Sequence, residues 1–336
     1  MIIKSNFITL KRYIPSGMPS LDDFAIKSEK INFKVNDQIL VKNEWISVDP
    51  YMRGRMTERK NYIDPFELGK PMEGGALGKI IESNNKEFKK GEYVISNFGW
   101  RDYFISSDNF LTKIDVQKFQ PQTFLGPLGF TGHTAYIGLF KIGQLKKNDI
   151  VLVSSAAGSV GSIVCQIAKI NGCKVIASTG SDEKVKWLEK ELGVDHAFNY
   201  KKIDNLVLYL KEINPEGFDL YFDNVGGDFL EAAIYRMKNY GKIVICGRIS
   251  QMNATSPSPG LKNMAHVLVK RLTIKGFLIF DHLNDKEEFY NDMTYWIKSN
   301  KLKFKETIVD GLENTPKAFI ELLKGRNLGK MLVRIG

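Results

Sequence analysis

The first 130 residues contain neither cysteine nor histidine, and the whole chain has three cysteines and four histidines. Cys165, Cys173 and Cys246 are scattered and odd in number, which argues against a disulfide framework or a zinc knuckle and points to a reducing, cytoplasmic setting. No apolar run approaches the roughly 18–20 residues that a membrane span needs. The opening Met1-Ile2-Ile3-Lys4-Ser5-Asn6 lacks the apolar core of a signal peptide. No run of lysine or arginine exceeds two residues, and no basic stretch is interleaved with aromatics. The net charge of +10 therefore reads as a lysine-rich solvated surface rather than a nucleic-acid footprint. The expected partner is a small molecule, with no nucleic acid and no membrane, and the positive charge favours a polyanionic cofactor.

What is present organises into two parts. A chain of 336 residues is long enough for two ordinary domains. The first stretch, to residue 127, reads as strands and turns. Runs at 39–45 and 93–96 carry β-type residues, and Asp49-Pro50, Gly69-Lys70-Pro71, Glu73-Gly74-Gly75 and Asn84-Asn85 punctuate the rest. Past Pro127 the pattern changes. A helix is expected over 131–141, a continuous apolar strand over 150–154, a helix over 162–171 stopping at Gly172, a strand over 174–178, and a helix over 182–192 stopping at Gly193. A strand over 219–222, a helix over 229–239, and strands over 242–246 and 272–280 follow. Apolar strands alternating with helices specify an α/β fold, a doubly wound parallel sheet with helices on both faces. Residues 128–303 form that domain, and residues 304–336 are expected to complete the first.

The strand at 150–154 runs into Ala156-Ala157-Gly158-Ser159-Val160-Gly161 and then a helix. A tight turn there aims a helix N-terminus at a pyrophosphate. Gly158 lets backbone approach the phosphates, and Gly161 lets the helix pack closely on the strand. Ala156 stands where the Rossmann dinucleotide fingerprint has its first glycine, so the loop gains its meaning from opening the first of several β-α units. NAD sites place a carboxylate at the end of the second strand. Here that strand ends in Thr179-Gly180-Ser181, and the next helix opens with Asp182-Glu183-Lys184. A first-turn lysine opposes the helix dipole by up to ~1 kcal/mol. An NADPH 2′-phosphate beside Lys184 accounts for it; the alternative is a solvated lysine balanced by Asp182 and Glu183.

Across nearly its whole length the sequence resembles the zinc-independent medium-chain dehydrogenase/reductases of the leukotriene B4 dehydrogenase, prostaglandin reductase, 2-alkenal reductase and bacterial curcumin reductase group. The matching stretches, in order, begin with Val48-Asp49-Pro50-Tyr51-Met52-Arg53, Thr134-Ala135-Tyr136, the loop at 156–162, and Gly180-Ser181-Asp182-Glu183-Lys184. They continue through Phe198-Asn199-Tyr200-Lys201, residues 218–227, Ile245-Cys246-Gly247-Arg248-Ile249-Ser250 and Asn327-Leu328-Gly329-Lys330. The resemblance implies a Rossmann NADPH-binding domain and a mostly-β GroES-like catalytic domain, with NADP(H) as cofactor and a homodimer. It implies that Gly158, Ser159, Val160 and Gly161 hold phosphates, and that Lys184 and Tyr200 contact the adenosine ribose and its phosphate. It further implies that Asn224 faces the cofactor, that Cys246, Gly247, Ile249 and Ser250 run along its nicotinamide half, that Phe277, Leu278 and Ile279 line the nicotinamide, and that Asn327 reaches the cofactor. Without the resemblance, Tyr200 reads as a packing tyrosine, Asn224 as a turn residue and Asn327 as a loop cap.

Zinc members of the superfamily need imidazole or thiolate ligands, and Met72-Glu73-Gly74-Gly75 stands where they carry Gly-His-Glu. His133, His196, His266 and His282 are isolated and read as structural or surface groups. The chemistry expected is reduction of a carbon–carbon double bond conjugated to a carbonyl. Hydride goes to the β-carbon, charge moves to the carbonyl oxygen, and a proton returns to the α-carbon. Tyr51 is the candidate hydrogen-bond donor or substrate-placing group, with an interior tyrosine beside Pro50 as the alternative. Arg53 could hold a polar substrate end, although surface exposure is the simpler reading; Arg55 and Arg59 read as surface charges. Relatives often carry a tyrosine, proposed as proton donor, where this chain has Met252, which cannot donate. Met252 is therefore placed with the substrate residues and leaves the donor open, and the loop at 253–262 is expected to shape the pocket. Quinone reduction, lipid-mediator alcohol dehydrogenation and a non-catalytic NADPH-binding protein are the competing functions. The apolar run at 272–280 is expected to be the sheet-edge strand of a dimer, or else an inner strand of the monomer.

Overall fold

The computed structural model describes residues 1–34, 37–256 and 260–336. Two compact units emerge, Met1–Gly126 with Glu306–Gly336, and Pro127–Lys305.

In the first unit β1 (Ile2–Leu10) pairs antiparallel with β2 (Phe24–Asn32). β3 (Ile39–Ser47), β4 (Ala76–Ser83), β5 (Tyr93–Ser96), β6 (Tyr103–Ser106) and β7 (Thr112–Ile114) form most of a second, mixed sheet. β5 and β6 alternate between half-buried and buried positions, whereas β3 is covered on both faces where Ile39, Leu40 and Val41 are all fully buried.

The second unit opens with α1 (Phe130–Ile137), which continues not as the expected helix to 141 but as one π turn over Gly138–Ile142. A side chain at Gly138 would lie 2.6 Å from the Phe222 ring, so this segment must pass the sheet bare. β8 (Ile150–Val153), α2 (Ser159–Ile170), β9 (Lys174–Thr179), α3 (Asp182–Lys190), β10 (His196–Asn199) and α4 (Leu206–Ile213) follow. Then come β11 (Phe218–Asp223), α5 (Gly227–Arg236), β12 (Met237–Ile245), α6 (Met264–Lys270), β13 (Thr273–Gly276) and α7 (Lys286–Lys298). The strands lie in the order β10-β9-β8-β11-β12-β13, each pair parallel. That is the Rossmann order, covered on both faces, and β8 is buried at all four positions as such coverage requires.

The chain then returns to the first unit as β14 (Glu306–Asp310), α8 (Thr315–Leu323) and β15 (Lys330–Arg334). β15 pairs antiparallel with β3, and Phe319 of α8 meets the buried Trp100 edge-to-face at 6.0 Å. Among the described residues no helix is long and apolar enough to cross a membrane.

Three sequence expectations are corrected. The helix expected to reach 239 stops at Arg236, because Met237 already pairs with Phe218 as a β12 residue. The strand expected over 272–280 keeps only Thr273–Gly276, and Phe277 onward leaves the ladder. Arg53 and Arg55 are not surface charges, being 2% and 6% exposed.

Candidate functional site

The carboxyl ends of the six parallel strands share one edge of the second unit, and the residues singled out in that part of the sequence fall there strand by strand. The phosphate loop follows β8, Gly180 to Lys184 follow β9, Tyr200 follows β10, Asn224 follows β11, Cys246 to Met252 follow β12, and Phe277 to Ile279 follow β13. Strand order reverses between β8 and β11. The crevice outside strand ends at such a reversal is where open α/β sheets take their ligands.

Past β8 the chain bends at Ser155, whose φ of 49° is left-handed. Gly158 N–H donates to Ser155 O at 3.1 Å, and Gly158 becomes the N-cap of α2. That cap offers no side-chain acceptor, whereas Ser181 caps α3 and Asn205 caps α4. The first-turn N–H groups of α2 thus keep their donors for an anion. A side chain at Gly161 would sit 2.5 Å from Ser155 O and 2.8 Å from Ala156 Cα, so only glycine lets α2 lie this close to β8. Ser159 Oγ donates to Thr131 Oγ1 of α1 at 2.8 Å, and Val160 beside it is half-buried.

A cationic corner forms at the ends of β9 and β10. A Cβ on Gly180 would lie 3.5 Å from the Tyr200 ring and 3.6 Å from Lys201 Nζ. Burial, the nearby Lys201 charge and Glu183 act on Lys184, and the net effect holds its ammonium below the ordinary lysine value. The first-turn acid Asp182 is taken by Lys202 at 2.6 Å and by Asn199 at 3.0 Å. Tyr200 is 45% exposed at this corner. Lys201 is a residue the sequence reading passed over, although it lies inside one of the matching stretches.

At the switch point Asn224 Nδ2 donates to Ser154 O at 2.8 Å. Cys246 and Gly247 donate their N–H groups to Asp223 O, and Ile249 and Ser250 donate theirs to Asn224 O and Val225 O. The turn after β12 is thereby sewn to the end of β11. Burial and Asp223 push the Cys246 thiol up to about 12, which keeps it protonated and inert. Met252 is half-buried after the single 3-10 turn Ile249–Gln251, and Arg248 is exposed. Phe277 is half-buried with its ring 3.1 Å from where a Gly138 Cβ would stand; Leu278 is exposed and Ile279 buried. Pro257, Ser258 and Pro259 of the expected pocket loop lie outside the described residues.

In the first unit Tyr51 is the second residue of the 3-10 segment Pro50–Met56 and packs on the core that contains Ile8, Met52, Trp100 and Phe319. Burial and the Asp49 carboxylate push its phenol above the ordinary value. The buried Lys330 of β15 donates to Val48 O and to Asp49 Oδ1, both at 3.1 Å, and so fixes the turn that presents Tyr51. Arg53 donates to Gly17 O at 2.9 Å. Arg55 donates to Glu73 at 2.7 Å and lies over the Phe66 ring. Asn327 is buried, with its amide donating to Gly329 O at 2.7 Å, the geometry of a loop cap.

Comparison with known proteins agrees with this architecture. Residues 7–114 match the family model described as the N-terminal domain of oxidoreductase, and residues 159–299 match that of zinc-binding dehydrogenase. The chain is 38% identical to the NADP(+)-dependent 2-alkenal reductase of Nicotiana tabacum, over 99% of this chain and 98% of that protein. It is 39% identical to prostaglandin reductase 1 of Mus musculus, over 99% and 100%. The crystal structure of CurA from Vibrio vulnificus in complex with NADPH matches with a TM-score of 0.93 at 39% identity, covering 98% of this chain and 99% of that one. The fold and strand-end site define a medium-chain dehydrogenase. More narrowly, the chain belongs to the zinc-independent medium-chain dehydrogenase/reductases that include the prostaglandin and 2-alkenal reductases. Among the described residues no group of three or more His, Cys, Asp or Glu is arranged to hold a metal ion.

Proposed function

We propose that the chain is an NADPH-dependent oxidoreductase that reduces the carbon–carbon double bond of α,β-unsaturated aldehydes and ketones. The observation that carries the cofactor choice is the corner at β9 and β10. Two ammonium groups act on each other here, Lys184 and Lys201, the second of them beside Gly180, and one acid of the α3 first turn, Asp182, is already engaged by Lys202. Like charges held together relax when an anion lies between them, and a 2′-phosphate has the size and charge to do so. The uncapped α2 N-terminus and the bare Gly161 fit the pyrophosphate of the same molecule. The names of the relatives supply the substrate class, a 2-alkenal for one and a prostaglandin for another.

When bound, NADPH supplies the hydride that goes to the β-carbon of the substrate. The remaining work belongs to this chain's side chains. Asn224, Cys246, Gly247, Ile249 and Ser250 would hold the nicotinamide half, and Phe277, Leu278 and Ile279 would give it an apolar wall. Tyr51, held protonated by burial and Asp49, donates a hydrogen bond to the carbonyl oxygen as it gains charge. Met252 contributes shape and no proton, and Arg53 acts on the substrate side. A cytoplasmic, homodimeric enzyme is part of the same reading. The cysteine usage supports the first, and the unpaired edge of β13 the second.

The test is NADPH oxidation across a panel of 2-alkenals and enones, with products identified by mass. Saturated carbonyl products are expected. Cofactor binding without turnover of any member of the panel would end the enone reading.

A further inference from the structure

Ser154 is the first residue past β8, and Asp223 is the last residue of β11. The register that sets Phe222 opposite Val153 brings the two side by side at the strand reversal. Ser154, Tyr221 and Asp223 are all fully buried. Asp223 Oδ1 accepts the Tyr221 hydroxyl at 2.6 Å, the N–H groups of Val225 and Gly226 at 2.9 Å each, and the Ser154 hydroxyl at 3.3 Å. Its other oxygen, Oδ2, is buried with no hydrogen-bond partner.

A buried carboxylate with one idle oxygen is an expensive way to fill space between two strands. Its return is rigidity, because four donors converging on one oxygen fix the rotation of the carboxyl group and the positions of all four. The network has two outputs. Ser154 Oγ accepts the Asn224 N–H at 3.0 Å, and Ser154 O accepts the Asn224 amide. Asp223 O accepts the N–H groups of Cys246 and Gly247 at 2.9 and 3.0 Å. One residue thus ties the ends of β8, β11 and β12 together. The cationic corner of β9 and β10 takes no bond from it.

We propose that Asp223, backed by Tyr221 and Ser154, is a positioning residue that sets the Asn224 carboxamide and the turn at 246–250 in register for the nicotinamide half of the dinucleotide, leaving the adenosine half untouched. The inference rests on the NADPH reading. β9 lies two strand spacings from β11, roughly 10 Å away, so a local slackening at Asp223 leaves Lys184 and Lys201 in place.

The experiment measures affinity by fluorescence titration with two probes, NADPH and 2′-phospho-ADP-ribose, which lacks the nicotinamide. Tyr221→Phe removes one hydroxyl and keeps the ring stacked on Phe229; Asp223→Asn removes the charge. Each variant is expected to weaken NADPH binding about five- to tenfold, the scale of one lost hydrogen bond, and to bind the fragment within about twofold of wild type. In an Asn224→Ala background, Tyr221→Phe should add a smaller loss than it causes alone, since one of the network's two outputs is already gone. Equal weakening of both probes would make the network a plain strut, and no weakening of either would make it idle; each overturns the proposal. Should Asp223→Asn fail to fold, Tyr221→Phe decides alone. Wild-type protein that binds the fragment but not NADPH would overturn the proposal and the cofactor reading together. Failure of enone turnover with NADPH bound touches only the substrate reading.

Discussion

Lys184 occupies the first turn of α3, where its backbone N–H bonds the Ser181 cap and its charge opposes the helix dipole. With Lys201 beside it, the arrangement favours a bound anion. Replacing both by alanine is expected to raise the KM for NADPH about ten- to a hundredfold, the scale of one or two charge-assisted hydrogen bonds. The kcat with NADPH, and the KM for NADH, should stay near wild type. Because burial and Lys201 lower the Lys184 pKa, its ammonium loses its proton at a lower pH than an ordinary lysine. Preference for NADPH over NADH should therefore decline as pH rises toward 10.5, earlier than a free lysine would allow, and Lys201→Ala alone should move that decline to higher pH. A doubly substituted enzyme that still prefers NADPH would remove these lysines from the site. At this scale the sequence was legible where chemistry is local. Gly158, Gly161 and Lys184 follow from their spacing after a strand. Asp223, Lys201 and Lys330 were not, because their meaning depends on which strand ends the register brings together. Arg53 and Arg55 were misread for the same reason, since their partners Gly17 and Glu73 lie far off in sequence.

At the scale of elements, α2 shows why a strand and helix must be read as a pair. Its first turn, Ser159-Val160-Gly161, has poor helix propensity, and the sequence reading started the helix three residues late. Packing overrides propensity there, because Gly161 lies against the backbone of Ser155 and Ala156. A methyl group at 161 meets atoms that cannot yield, so Gly161→Ala should cost ~1–3 kcal/mol of stability by overpacking, together with cofactor affinity. Gly158→Ala meets Ser155 O at 3.3 Å and should lose affinity with little change in Tm. Thermal melts with and without NADPH separate the two, and an unchanged melt for Gly161→Ala would refute the close-approach argument. Strands β8, β9, β11 and β12 were legible as apolar runs between turn residues. β10 and α4 were passed over as a short strand and a short helix. α7 carries Phe289, Met293 and Trp296 on one buried face, a readable stripe that the reading missed. α6 has no buried residue, although Met264, Val267 and Leu268 stand at helical spacing.

For the molecule as a whole, that absence in α6 is itself informative. This seven-residue helix has no buried residue and touches the core only through the half-buried Val267, while Leu268 and Val269 are 78% and 64% exposed on it and Tyr240, within β12, is 68% exposed. β13 beside them ends the sheet with one side unpaired. Soluble proteins blunt such edges with charge, proline or cover. Here the only charged residue of the strand is Lys275. A second copy related by a twofold axis would pair β13 with its equivalent and bury both apolar patches at once, which a lone partner of another shape would have to match by chance. The chain is thus expected to sediment as a dimer, and Leu268→Glu with Val269→Lys to sediment as a monomer. Both positions are exposed, so the fold of the monomer should lose no more than about 0.5 kcal/mol for either change. The two chains of the dimer should fall apart while each keeps its affinity for NADPH, since none of the strand-end residues lies on α6. A wild-type monomer, or a variant that remains dimeric, would mean that the edge of β13 is left open or that the copies meet elsewhere.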